Sequence, residues 1–389
     1  MMRMCSALLA VGLIMWSGAR VTGQSVLQST HHQYRVVTVV DALMEPWSIA
    51  FLPGGDMLIT ERPGRLRIVR NGKLLPQAVD GVPAVFHVGQ GGLLEVAPHP
   101  NFAANRLLYL TYSKPLGGDQ STTALIRGRF ENDRLTNVEQ LFESVSRGRG
   151  HYGGKIAFDR NGFLFLTLGD RQVPPEGNLE AHPAQDLSNH HGKLIRLHDD
   201  GRVPADNPFV GRTGARPEIW SYGHRNIQGI AVHPETGEVW TNEHGPQGGD
   251  ELNRPEPGRN YGWPVIGFGV NYTTGLAIHS GTHRQGMEQP VHIWVPSIGI
   301  SGAMFYTGDR FPQWRNSLFV GGMVGQQLVR LTMDKGRTVA NREMLAQRMG
   351  RIRDVRQGPD GFIYLVTDDR EGKPTPIYRI EPVQQTSTR

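Results

Sequence analysis

The sequence contains one cysteine, Cys5, in 389 residues. A lone thiol so close to the start excludes a disulfide framework, a cysteine zinc site and a C-x-x-C-H haem attachment. Long helical periodicity is also missing. There is no Walker A loop and no G-x-G-x-x-G on a βαβ unit, so a nucleotide cofactor is not expected. There is no G-x-S-x-G elbow, so serine hydrolysis lacks a nucleophile. The apolar run Ala7 to Trp16 is too short to span a bilayer, and no transmembrane segment is expected in the mature chain. Basic residues give a formal charge of +5 but are scattered. Nucleic acid is therefore not an expected partner.

Glycine (49) and proline (26) are abundant, together well above the average share of about 12 %. Such a chain suits many short strands and turns. Its length allows two or three domains or one large β domain. Residues 1–23 read as an export signal. Arg3 supplies the positive region, Ala7 to Trp16 the apolar region, and Ser17-Gly18-Ala19 or Val21-Thr22-Gly23 the small residues for cleavage. The alternative is a buried N-terminal strand. Cleavage leaves a cysteine-free mature chain, 24–389, that suits the bacterial periplasm or exterior.

Six segments share one shape, an apolar strand, a turn and a second apolar strand. They begin near residues 48, 93, 155, 229, 302 and 354. Four carry Gly-Gly, Asn-Gly, Thr-Gly or Asp-Gly at the turn, which is hairpin chemistry. A repeat of this length built from short strands predicts an all-β fold, a six-bladed β-propeller. A β-sandwich is the competing arrangement. The stretch 171–224 is longer than a blade connection needs and is expected to carry an insertion.

Aligning the repeats on their turns places Gln90, His151, Arg225 with Asn226, and Arg351 with Arg353 six to ten residues upstream. Equivalent positions in successive blades lie on one ring. These groups are therefore expected to converge at one mouth of the channel. A base, amides and three guanidiniums in one cavity suit an anion and a proton-abstracting step. Taken singly, each would read as an ordinary surface or core residue. A second constellation, Asn242 to Glu251 followed by Asn260-Tyr-Gly-Trp-Pro264, is expected in the loop after the fourth repeat. Asp250 and Glu251 are hard oxygen donors, and the glycines free backbone carbonyls, a combination that suits Ca²⁺. A plain polar glycine-rich loop is the alternative. His244 and His190-His191 are weak zinc candidates, because no second ligand pair accompanies them.

Pro46-Trp-Ser-Ile-Ala-Phe, Gly89-Gln-Gly-Gly-Leu-Leu, Gly223-His-Arg-Asn-Ile-Gln-Gly229, Glu243 to Asn253 and Asn260 to Pro264 resemble the soluble PQQ-dependent sugar dehydrogenases, in particular the aldose branch of the glucose/sorbosone dehydrogenase family. The resemblance spans about residues 34 to 382 and implies a six-bladed propeller. It implies that His151 is the base that takes the anomeric hydroxyl proton of an aldose, which leaves as a lactone. It implies that Gln90, Arg225, Asn226, Tyr272, Arg351 and Arg353 hold pyrroloquinoline quinone (PQQ). It implies that the carbonyls of Gly245 and Pro246 bind the Ca²⁺ beside PQQ, and that Glu251 and Tyr261, the latter through its carbonyl, bind a second Ca²⁺. Electrons would leave to an external acceptor, a cytochrome or a quinone, from a monomer or homodimer. The chain departs from relatives in three places. Met323-Val324-Gly325 stands where many carry a lysine, for which Lys155 is a possible substitute. Gly150 stands where the glucose-specific branch has an aspartate, so another group must orient His151. Ile227 replaces a proline. A Ca²⁺-dependent lactonase and a non-catalytic binding propeller are the alternatives.

Overall fold

The computed structural model describes residues 25–383, and both Cys5 and the 1–23 signal reading lie outside them. The described chain folds into six antiparallel sheets arranged as a six-bladed propeller. The innermost strands are Pro46–Phe51, Leu93–Pro98, Ile156–Phe158, Ile227–Val232, Ile300–Phe305 and Arg351–Gln357. Each starts within three residues of the repeat start read from sequence. The hairpin glycines Gly55, Gly162, Gly237 and Gly361 all have φ between 77° and 89°, the left-handed region that glycine enters without steric cost. Among the described residues, the one α-helix is the single turn Phe102–Asn105.

No blade can bury its two faces alone. The core is accordingly divided between blades. Leu58 and Ile68 of blade 1 pack on Leu93 and Leu110 of blade 2. Trp240 and Trp294 of blade 4 pack on Ile300 and Val320 of blade 5. The middle strand Leu164–Leu168 is buried at all five residues, because its two faces meet different neighbouring blades.

Two features differ from the sequence reading. The stretch 171–224 is less an insertion than the outer half of blade 3, since it holds the strands Lys193–Leu197 and Ile219–Tyr222. The ring is closed by Gln33–Leu43, which pairs antiparallel with Thr375–Pro382 as the fourth strand of blade 6. The run Val36-Val37-Thr38-Val39-Val40 has strong strand propensity, but its partner lies more than 330 residues away in sequence. The first and last segments of the propeller are thus joined by main-chain hydrogen bonds rather than by a disulfide.

Candidate functional site at the channel mouth

The segments that enter the innermost strands bring four of the singled-out residues, Gln90, Asn226, Arg351 and Arg353, to one cavity of about 440 Å³. His151 and Arg225 stand directly behind its wall. The His151 N–H donates to Gln90 Oε1 at 2.8 Å. Asn226 is buried and its Oδ1 accepts from the Gly153 N–H at 3.3 Å. Glu243 Oε2 accepts the Arg225 N–H at 2.5 Å, and Arg225 Nη1 donates to Gly245 O at 2.9 Å. The Arg225 Nε is buried without a hydrogen-bond partner among the described residues.

His151 is held in an uncommon backbone conformation, φ 43°. For a residue with a Cβ this costs of order 1–3 kcal/mol and persists only where the surroundings impose it. Here Gln90 fixes its N–H, and Gly169 comes so close that a Cβ there would meet His151 O at 2.2 Å. The imidazole is buried, its side chain 8 % exposed. Its Nδ1 lies 2.5 Å from Asp170 Oδ1, and its Nε2 has no protein partner among the described residues. Burial pushes the His151 pKa below 6.5, and Arg225 and Arg171 push the same way, while Asp170 opposes them. Burial works against the charge on Asp170, yet His151 and Arg225 outweigh it and keep that carboxyl below its usual range. Both directions favour a neutral imidazole beside an ionised Asp170. Asp170 is the orienting group that Gly150 cannot provide, and the sequence reading missed it.

A signal for it exists in the repeats. Carboxylates close the second strand in three blades, as Glu61, Glu243 and Asp368, and in a fourth Asp170 follows the strand by two residues. Asp170 and Asp368 orient or neutralise groups of the site, Glu243 takes the Arg225 N–H, and Glu61 pairs with Arg65 and Arg67. Asp368 takes Arg351 Nε at 2.8 Å and Arg353 Nε at 2.9 Å. Burial disfavours its charge, but the two guanidiniums hold its pKa down.

The second constellation is placed differently from expectation. Asp250 and Glu251 lie in the strand Asp250–Asn253 rather than in a loop. Asp250 accepts the N–H groups of Gly245, Ile298 and Ile300 at 3.0–3.1 Å, so its lone pairs shape the turn. Gly245, Pro246, Glu251 and Tyr261 line one small space of about 20 Å³ beside Arg225 and Glu243. That volume suits a single ion or water. Glu251 is half-buried, and desolvation followed by the charge of Glu243 pushes its pKa up to about 8. Two carboxylates on paired positions, one of them buried, are electrostatically unfavourable without a cation. The Tyr261 hydroxyl is committed elsewhere, donating to Arg254 O at 2.7 Å and accepting the Glu256 N–H at 3.0 Å. Among the described residues no three His, Cys, Asp or Glu side chains form a ligand cluster, so any cation here relies on backbone carbonyls. Tyr272 is 65 % exposed and reaches Gly245 O at 3.4 Å.

His190 and His191 are not paired for zinc. The first bonds Glu218 at 2.7 Å and the second Ser146 at 2.8 Å. Met323 lines the cavity 3.6 Å from Arg351, while Val324 faces outward, 60 % exposed. Lys155 does not replace a missing lysine on this wall. It is spent beneath the floor, 2.9 Å from Glu95 and 3.0 Å from Asp354, with Trp47 above it at 4.2 Å.

The glucose/sorbosone dehydrogenase family matches residues 43–379. The chain belongs to this family. It is 42 % identical to the aldose sugar dehydrogenase YliI of Escherichia coli, over 90 % of this chain and 94 % of that one. A crystal structure of a glucose dehydrogenase superposes with a TM-score of 0.83 at 47 % identity, covering 88 % and 98 % of the two chains. The PQQ-bound aldose sugar dehydrogenase of Streptomyces coelicolor gives 0.71 at 27 % identity, over 90 % and 98 %. Family membership makes the chain a sugar oxidoreductase.

Proposed function

We propose that the protein oxidises aldoses at C1 to lactones, using non-covalent PQQ and Ca²⁺, and passes the electrons to an external cytochrome or quinone. One observation carries the reading. A buried histidine, held by Asp170 through its ring and by Gln90 through its backbone N–H, adjoins Tyr152 and Gly153 on the wall of a cavity that Arg351 and Arg353 also line. The fit to a quinone tricarboxylate rests on the donors. Arg225 Nε is buried and unpartnered, and Nη1 of both Arg351 and Arg353 has no protein acceptor among the described residues. Arginine forks match carboxylates in geometry and charge. The fit to Ca²⁺ rests on Glu243 and Glu251, which stand opposite one another on paired strands and share a space the size of one ion with the backbone of Gly245 and Pro246.

In this reading His151 Nε2 accepts the proton of the C1 hydroxyl, and Asp170 stabilises the imidazolium that results. Bound PQQ supplies the two-electron acceptor and Ca²⁺ the Lewis acid that stabilises charge developing on it. Gln90, Asn226, Tyr272 and the three arginines hold the cofactor in place. The carbonyls of Gly245 and Pro246 serve one Ca²⁺, and Glu251 with the Tyr261 carbonyl a second. Among the described residues no helix is long and apolar enough to cross a membrane, and with residues 1–23 read as a cleaved signal the enzyme works in the periplasm or outside the cell.

The test is turnover. Mature protein supplied with PQQ, Ca²⁺ and an artificial electron acceptor should oxidise members of an aldose panel and be inactive without PQQ. Lactone hydrolysis without redox turnover would favour the lactonase, and binding without either reaction the scaffold.

A further inference from the structure

Arg62 follows the second strand of blade 1 and lies on the wall of the larger cavity. The repeat alignment does not select it, because it sits after that strand rather than before the first. Its side chain is 17 % exposed. The backbone N–H donates to Glu45 O at 3.1 Å, and its carbonyl accepts from the Leu93 N–H at 3.0 Å. Nε donates to Gly91 O at 3.1 Å, and Nη2 to Gly89 O at 2.6 Å and Gly91 O at 3.1 Å. Nη1 stands 3.1 Å from Glu45 Oε2. A guanidinium has five N–H groups. These contacts use four and leave one, on Nη1, without a protein acceptor among the described residues.

Arg62 shares its wall with the pair from blade 6. Burial lowers its pKa, and Arg353 is the next largest influence in the same direction. Arg62, Arg351 and Arg353 face two carboxylates, Asp368 and Glu45. Asp369 and Arg370 on the rim offset one another. The wall therefore carries excess positive charge and uncommitted donors, the composition of an anion site.

We propose that Arg62 is a fourth guanidinium of this site and takes a carboxylate of the anionic cofactor, with Glu45 holding part of its charge in check. This rests on the PQQ reading above. The measurement is affinity rather than turnover. Apo-protein with Ca²⁺ is titrated with PQQ, followed by cofactor absorbance, for wild type, Arg62→Gln, Arg62→Lys and Glu45→Gln. Arg62→Gln should weaken binding at least tenfold. Arg62→Lys should recover part of the loss, since it keeps the charge but not the fork. Glu45→Gln should bind as tightly as wild type or more tightly, because it removes negative charge from the wall. A merely structural ion pair predicts otherwise, since both Arg62→Gln and Glu45→Gln break it and would weaken binding in parallel. Parallel weakening, or Arg62→Gln within twofold of wild type, overturns the proposal. If Arg62→Gln does not fold, the opposite directions of Arg62→Lys and Glu45→Gln decide. Wild type that fails to bind PQQ overturns the cofactor reading instead. Citrate then serves as the tricarboxylate probe, where the same order of affinities supports the role of Arg62 and equal affinities overturn it.

Discussion

Asp170 holds the catalytic candidate with one oxygen and Trp263, which lines the smaller space beside Arg225, with the other. Its Oδ1 lies 2.5 Å from His151 Nδ1, and its Oδ2 accepts the Trp263 indole N–H at 2.8 Å. With Nδ1–H donated to Asp170, the lone pair of the neutral ring is on Nε2. Two consequences follow for Asp170→Asn. Sugar oxidation should fall by about a hundredfold or more, the range for losing an oriented base, while PQQ binding is unchanged. The acid limb of kcat/KM should also move. His151 is active when neutral, so activity falls as pH drops through its pKa, which burial places below 6.5. Asp170 is what opposes that lowering, so the variant's limb should lie at still lower pH. A pH profile of both proteins checks both outcomes.

The proposed Ca²⁺ role of Glu251 links metal to stability. A cation bound by the folded protein and not by the unfolded chain raises the melting temperature by mass action. Ca²⁺ should raise Tm and a chelator should lower it. Glu251→Gln should reduce the Ca²⁺-dependent part of the shift, and differential scanning fluorimetry with and without Ca²⁺ reads this directly.

Beneath the cavity floor, three blades meet through charge. Lys155 sits between Glu95 of blade 2 and Asp354 of blade 6, and Arg356 bridges the same two carboxylates at 2.6 and 3.3 Å. Removing one member strands a buried charge, which costs about 3–5 kcal/mol. Lys155→Met should lose stability on that scale in denaturant unfolding. Lys155→Met with Glu95→Gln should regain part of it, because the double variant again balances its charges.

The residues that carry the architecture were readable because they repeat. The Asn161-Gly162 and Asp360-Gly361 turns and the paired apolar strands announce a propeller, and register alone gathered Gln90, Asn226, Arg351 and Arg353. What escaped was set by distance in the chain. Gln33–Leu43 has ordinary strand composition, and its pairing with Thr375–Pro382 exists only once the ring closes. Asp170 and Arg62 act from the far ends of second strands, and the alignment looked only ahead of first strands. Lys155 is one residue short of its strand, and no local pattern tells a buried channel lysine from one that lines a ligand site.

The most direct test of the account is a single turnover. Protein reconstituted with PQQ and Ca²⁺ is mixed rapidly with glucose and other aldoses without an electron acceptor, and the cofactor's absorbance is followed in wild type and His151→Ala. The account predicts reduction of the bound cofactor by at least one aldose, slowed about a hundredfold or more in His151→Ala at equal cofactor occupancy. Bound cofactor that no aldose reduces, or reduction at the wild-type rate in His151→Ala, would contradict it.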